Sequence, residues 1–306
     1  MCSPLFILAP PRSFTSVTCA MIGQHPEMMG LPETNLFARD TYEELQQLFR
    51  LRERFAHGLY RALAELGLGE QNRENINVAK DWLEREPSIT TAELFKDLVA
   101  FAAPRRLVEK SPLHVYNAES MERMHAAFPD AYYLHITRHP RGTCESIYAL
   151  RMSTNEGVQK LVNKNPALAN RVRKIKADED LTPENMWFDP HLKILEFLET
   201  IPEEKQMRLR GEDFLSEPDR YLREVATWLG ISTEDDAIEQ MKHPEDSPFA
   251  CFGPPNAWFG NDPGFLKEPA LRPYTPKPQE LESPLSWNPE LKFSDIVIEL
   301  SEYLGY

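Results

Sequence analysis

The 306-residue sequence predicts an α/β fold, a three-layer arrangement in which a central parallel sheet is flanked by helices. Three observations carry this reading. The run Leu5-Phe6-Ile7-Leu8-Ala9 is apolar throughout, as a strand buried on both faces must be. It breaks at Pro10-Pro11 into a loop rich in Ser and Thr that opens a helix. Further along, Arg106 to Pro112, Asn117 to Phe128 and Ala131 to Thr137 read as strand, helix and strand, a rhythm that gives parallel pairing with right-handed crossovers.

Taken in order, Thr15 to Ile22 continues the opening loop as a helix ended near Gly23, and Glu27 to Thr34 is a short strand and turn that delivers Glu33 beside a strand end. A long amphipathic helix is expected from a capping box at Thr41 and Glu44 to Gly67, with Leu45, Leu48, Phe49, Phe55, Leu59, Leu63 and Leu66 on its apolar stripe. Helices around Ile76 to Leu83 and Ala92 to Ala102 follow. These helices cover the sheet, or else bring Phe37, Tyr42 and Phe49 to a substrate pocket.

Residues 153–190 are polar and charged, with basic Arg171, Arg173, Lys174 and Lys176 ahead of Asp178-Glu179-Asp180. They read as a helical insertion, either a solvated helix pair or a cover over the site. His191 to Thr200 is helical, Gln206 to Arg210 is another strand, and Pro218 opens a helix closed by Gly230. The proline-rich stretch 243–289 is irregular, with few free backbone donors and restricted φ angles. Ser294 to Leu304 is the last helix, and we expect one domain spanning residues 1–306.

Composition narrows the function. Charged and apolar fractions of 27% and 42% are those of a globular protein, and no stretch approaches the roughly 18 apolar residues needed to span a bilayer. A net charge of −14 argues against nucleic acid as a partner, because a phosphate-backbone binder presents a basic face. The four cysteines are scattered and suggest neither a metal site nor a disulfide framework, and the N-terminal apolar run leads straight into a loop instead of a cleavage site. A cytoplasmic protein is the expectation.

The first loop is an anion site. Free N–H groups at a helix start, the helix dipole, the hydroxyls of Ser13, Thr15 and Ser16 and the guanidinium of Arg12 all favour a phosphate. The nucleotide-triphosphate loop Gly-x4-Gly-Lys-Ser/Thr would fall on Ala9, Phe14, Thr15 and Ser16, so both glycines and the lysine are missing. The loop holds an anion without the lysine that an ATPase uses on its β- and γ-phosphates.

Pro11-Arg12-Ser13-Phe14-Thr15-Ser16, followed by His25-Pro26, resembles the 5′-phosphosulfate loop of sulfotransferases that use 3′-phosphoadenosine 5′-phosphosulfate (PAPS). Arg138 to Ser146 is similar to that family's 3′-phosphate motif, with an arginine after a strand and a serine eight positions on. The resemblance runs to the terminal Leu304-Gly305-Tyr306. It implies a P-loop-like fold, PAPS as co-substrate and PAP as product, and metal-free transfer of a sulfonate group to a hydroxyl acceptor. It also implies roles: Arg12, Ser13, Phe14, Thr15 and Ser16 around the phosphosulfate, and Arg138 and Ser146 on the 3′-phosphate.

Lys110 in Lys110-Ser111-Pro112 resembles the Lys-Ala-Pro lysine of the tyrosylprotein branch and would stabilise the leaving oxygen. Its alternative is an ion pair to a carboxylate such as Glu109. For the base, Pro32-Glu33-Thr34 resembles the Glu-Glu-Thr element of that branch, which implies Glu33, with His114 the other candidate. Phe14 stands where the family has glycine, so either the local backbone suits an L-residue or donor affinity is reduced. Gly211 replaces the tyrosine of the family's Tyr-Glu-Asp-Leu element, and Asn261 to Leu266 lies where relatives close a loop over the nucleotide.

The acceptor is a small-molecule alcohol, a phenol, a sugar or a peptide tyrosine. Similarity of Asn261 to Leu266 and of Leu150-Arg151-Met152 to domains attached to polyketide synthases favours an acyl or lipid-like alcohol. A kinase of related fold and a non-catalytic nucleotide-binding protein are the competing readings.

Overall fold

The structure is a computed structural model that describes residues 3–164, 182–272, 274–275 and 279–306. Strands β1 (Leu5–Leu8), β2 (Met28–Gly30), β3 (Arg106–Glu109), β4 (Tyr132–Thr137) and β5 (Gln206–Arg210) form one sheet in the order β2-β3-β1-β4-β5. Every pairing is parallel, with Leu5 opposite Val108 on one side and Leu8 opposite His135 on the other. β1 is the central strand, which is why its sequence is apolar at every position. Chain order reverses between β1 and β4, and the crevice beyond their carboxyl ends is where such sheets take ligands.

Side chains of β1 alternate between two cores. Phe6 and Leu8 pack on one face, with helices α3 (His57–Leu68), α5 (Thr91–Ala102), α6 (Ala118–Ala127) and α8 (Pro183–Leu198). Leu5 and Ile7 pack on the other, with α1 (Thr15–Gly23), α9 (Gly211–Ser216), α10 (Pro218–Leu229) and α11 (Asp235–Met241). Each fully buried Leu, Ile or Phe contributes about 2 kcal/mol, so the sheet is fixed by apolar residues on both faces. The three-layer expectation holds.

The long helix expected from Thr41 to Gly67 is two helices. α2 (Tyr42–Leu51) ends where Arg52 leaves helical geometry at φ −145°, a 3-10 turn covers Glu53–Ala56, and α3 begins at His57. The break has a tertiary cause. Asn35 Nδ2 donates to the Phe55 carbonyl at 3.0 Å, and Gly58 packs so tightly on Glu33 that a Cβ there would lie 2.0 Å from the Glu33 carbonyl oxygen. Thr41 caps α2 by accepting from Glu44 N–H at 3.4 Å, but the Glu44 carboxylate takes Asp40 N–H instead of closing the box. A reciprocal capping box does form at Thr90 and Glu93, ahead of α5.

α4 (Arg73–Arg85) lies against α3, and α7 (Pro140–Lys164) leads out of β4. The basic cluster of the expected insertion lies outside the described residues. Two buried arginines organise the proline-rich stretch. Arg61 donates to the Phe259 carbonyl at 3.0 Å and to Gln71 at 2.6 Å. Arg141 donates to the carbonyls of Glu280, Ser283 and Pro284 at 2.7–3.0 Å. Prolines leave such a chain short of donors, and the two guanidiniums supply them. Within the stretch lies α12 (Pro263–Lys267), and α13 (Asp295–Tyr303) closes the chain against α8. No described helix is long and apolar enough to cross a membrane.

Candidate active site

The loop after β1 folds in a way its sequence makes costly. Arg12 and Phe14 both sit in the left-handed region, at φ 68° and 61°, where an L-residue loses roughly 1–2 kcal/mol. Phe14 therefore takes up the conformation expected of glycine. Strain held at a loop of this kind is paired with ligand binding. No side chain caps α1, so the first-turn amides remain available to an anion. Ser13 is fully buried with its hydroxyl unpartnered among the described residues, and Thr15 and Ser16 line the adjoining cleft. An orphaned hydroxyl beside free amides fits a phosphate-type ligand.

The two anion motifs meet. Arg12 Nε donates to Ser146 Oγ on α7 at 2.9 Å, and Arg138, following β4, donates from Nη1 to the Arg12 carbonyl at 2.5 Å. Burial pulls both guanidiniums below their ordinary pKa, only partly offset by Glu33 at Arg12 and by Glu212 and Tyr274 at Arg138. Arg138, half-buried, has no carboxylate in ion-pair contact among the described residues. Arg12 also pairs with Asp262, whose carboxylate caps α12 by accepting from Gly264 and Phe265 N–H.

Beside the loop, Lys110 at the end of β3 donates to Glu33 Oε1 at 2.6 Å and to Ser16 Oγ at 2.8 Å. The ammonium is buried beneath Glu33 and Ser16, while those two residues line the cleft. Because Lys110 occupies a lone pair of Ser16 Oγ, the Ser16 hydroxyl hydrogen is free for a ligand oxygen. Lys110 thus pairs with Glu33 and not with its sequence neighbour Glu109. Glu33 itself is placed by backbone: its N–H donates to the Gly260 carbonyl at 2.7 Å, and Gly58 packs against it.

Glu109 belongs to a separate buried network. It accepts from Thr34 Oγ1 at 3.1 Å, from Ser111 N–H and Oγ–H, and faces His114 Nδ1 at 3.3 Å. Burial pushes its pKa up, but His114 and Ser111 outweigh it and hold the carboxyl below its ordinary range. His114 is buried against Phe37 and does not line the cleft, so the residue facing the anion loop is Glu33.

The cleft has a volume of about 1460 Å³. Its lining includes Glu33, the largely apolar group Leu113, Tyr116, Ile147, Leu150 and Met186, and the arginines Arg52 and Arg54. Leu215, Arg272 and Tyr274 also line it. Phe37, Tyr42 and Phe49 lie in the core instead, so that helical region covers the sheet. Sequence reasoning missed Asp262 as a partner of Arg12, and its signal was the Asp-Pro-Gly start of a short helix. It also missed Arg52 and Arg54, which an unbroken helix would have placed elsewhere. Among the described residues no group of acidic, histidine or cysteine side chains is arranged to hold a metal ion.

Residues 4–235 match the model of a family described as the sulfotransferase family. Among solved structures, the sulfotransferase domain from the curacin biosynthetic pathway superposes with a TM-score of 0.73 at 22% identity, covering 100% of this chain and 98% of that one. The sulfotransferase domain from the Synechococcus PCC 7002 olefin synthase gives 0.70 at 21% identity, covering 100% and 96%. At these identities the two likenesses speak to the fold. No curated protein matches the chain.

Proposed function

The chain belongs to the sulfotransferase family and is a sulfonate-transferring enzyme, and on that premise we propose that its donor is PAPS and its acceptor a hydroxyl compound. The observation that carries this reading is the junction of two anion motifs with an acid-base pair in one cleft: Arg12, Arg138 and Ser146 on one side, Glu33 and Lys110 on the other. Arg12, Ser13, Thr15, Ser16 and the first amides of α1 bind the phosphosulfate. Arg138 and Ser146 take the 3′-phosphate. Phe14 lines this end of the cleft.

In the transfer, the acceptor oxygen bonds to sulfur as the bond from sulfur to the bridging oxygen breaks, and PAP leaves. Glu33 takes the acceptor's proton. Lys110 works through Ser16, whose freed hydroxyl hydrogen meets the negative charge that develops on the bridging oxygen. The apolar lining that includes Leu113, Ile147, Leu150 and Met186 suits an acyl or lipid-like alcohol, with the exposed arginines Arg52 and Arg54 available to a polar end group.

The test is calorimetric titration with 3′-phosphoadenosine 5′-phosphate (PAP), AMP and Mg-ATP, on the wild type and on Arg138→Ala. Preferential binding of PAP, lost in the variant, is the expected result. Equal binding of PAP and AMP, or preference for Mg-ATP, overturns the donor assignment and favours a kinase or a binding protein.

A further inference from the structure

Phe14 and Gly211 belong to distant parts of the chain and fit into each other. A Cβ built on Gly211 would lie 2.5 Å from Phe14 Cδ2 and 3.3 Å from the Thr137 carbonyl, so only glycine at 211 leaves space for the ring. Over the ring, the Arg138 guanidinium carbon sits 4.4 Å from the centroid. Tyr274 meets the ring edge-on at 5.9 Å. A second glycine, Gly142, shapes the slot around the cation, since a Cβ there would come within 3.3 Å of Arg138 Nε and Nη2.

The cation needs this support. Glu212, the acidic group acting on it, is already engaged by His139 N–H and Tyr306 Oη, each at 2.9 Å. What holds the Arg138 side chain is the Arg12 carbonyl at one nitrogen and the Phe14 face below. An aromatic face attracts a desolvated guanidinium and fixes its plane while leaving its remaining N–H groups free. Phe14 holds left-handed backbone, at φ 61°, while its ring lies against Arg138.

We propose that Phe14 is a positioning residue for Arg138, orienting that guanidinium for the donor's 3′-phosphate, and that Gly211 is the partner that admits the ring. The proposal rests on the donor reading above, in which Arg138 recognises the 3′-phosphate. It also turns two departures from the family pattern into one matched pair: an aromatic ring supplied from the anion loop, and the glycine that accommodates it.

The experiment measures the ratio of PAP to AMP affinity by calorimetry, because a purely space-filling role for Phe14 would not move that ratio. Phe14→Leu is expected to lower it about threefold to thirtyfold, the range of a cation–aromatic contact. Phe14→Tyr should restore it. Gly211→Ala should lower the ratio like Phe14→Leu, yet do nothing further when added to Phe14→Gly, where no ring remains to displace. Thermal unfolding confirms that each variant is folded, and Phe14→Tyr against wild type keeps the comparison open if Phe14→Leu is not. A wild-type ratio in Phe14→Leu beside a collapsed ratio in Arg138→Ala overturns the positioning role alone. Additive effects of Gly211→Ala and Phe14→Gly overturn the pairing. An unchanged ratio in Arg138→Ala overturns the donor reading and this inference with it.

Discussion

Lowering the pH should destabilise this protein through two histidines buried between β4 and α8. His135 on β4 and His191 on α8 are fully buried and joined Nε2 to Nδ1 at 2.9 Å, and among the described residues the other nitrogen of each has no partner. Burial is the main reason that both pKa values fall, aided by each ring's cationic surroundings at Arg208. His191 drops to about 3 and His135 well below its ordinary value. Both therefore stay neutral in the fold, while in the unfolded chain they take up protons below about pH 6.5. The folded pKa is the lower one, so this contribution to stability is complete above pH 6.5 and drains as pH falls. At pH 5 the unfolded chain gains about 2 kcal/mol per histidine, about 4 kcal/mol for the pair. The perturbation is His135→Leu with His191→Leu, an apolar pair of similar size that cannot titrate. Urea unfolding at pH 8, 6.5 and 5 should show wild type losing about 4 kcal/mol more than the variant between the extremes. His139, lowered to about 4 chiefly by burial, is common to both proteins and cancels. Parallel pH dependence in the two would refute the reasoning. Function should follow stability: His191 packs on Trp187 at 4.8 Å, and the Trp187 indole N–H donates to the Arg138 carbonyl at 2.9 Å, so PAP affinity should weaken over the same window.

Three further outcomes follow from the site. Glu33→Gln keeps a hydrogen bond to Lys110 but cannot take a proton, so turnover should fall about 10²- to 10⁴-fold with PAP affinity held; an unaffected turnover would remove Glu33 as the base. Asp262→Asn retains the cap on α12 while releasing Arg12 from a competing carboxylate, and PAP should bind about 1.4- to fivefold tighter by calorimetry, the pair being partly exposed and modest in strength. Arg141→Leu strips the donors from three carbonyls at once, costing about 3 kcal/mol, and limited proteolysis should then cut first within residues 279–290.

What the sequence disclosed depended on how far each cause lies from its effect along the chain. β1, β4 and the loop between β1 and α1 were readable because burial on both faces and a helix start leave local signatures. The capping pattern at Thr41 located a helix start correctly, yet nothing near Arg52 announced its end. That break is set by Gly58 docking on Glu33, a contact between segments that only the folded sheet brings together. Glu33 and Lys110 were legible as candidates, but their shared contact with Ser16 required three strands' ends to converge. Arg141 and Arg61 were illegible for the same reason: a guanidinium that serves distant carbonyls resembles any other arginine in sequence.

Phe14 is the sharpest instance, because locally it is a defect. A bulky residue in left-handed backbone weakens the loop that holds it, and Gly211, taken alone, deletes a side chain from the end of β5. Neither change has a local advantage. Together they place one aromatic ring on the anion loop, against the Arg138 guanidinium and in the space that a side chain at 211 would fill. A ring at both positions would put two side chains in one space, and a ring at neither would leave the cation without aromatic support. The second is the milder, since a cation without its aromatic support loses some orientation whereas a ring overlapping another side chain must displace the loop. Phe14→Gly, the protein with neither ring, should therefore remain folded and weakly selective for PAP, while Gly211→Tyr in the presence of Phe14 should lose PAP binding altogether.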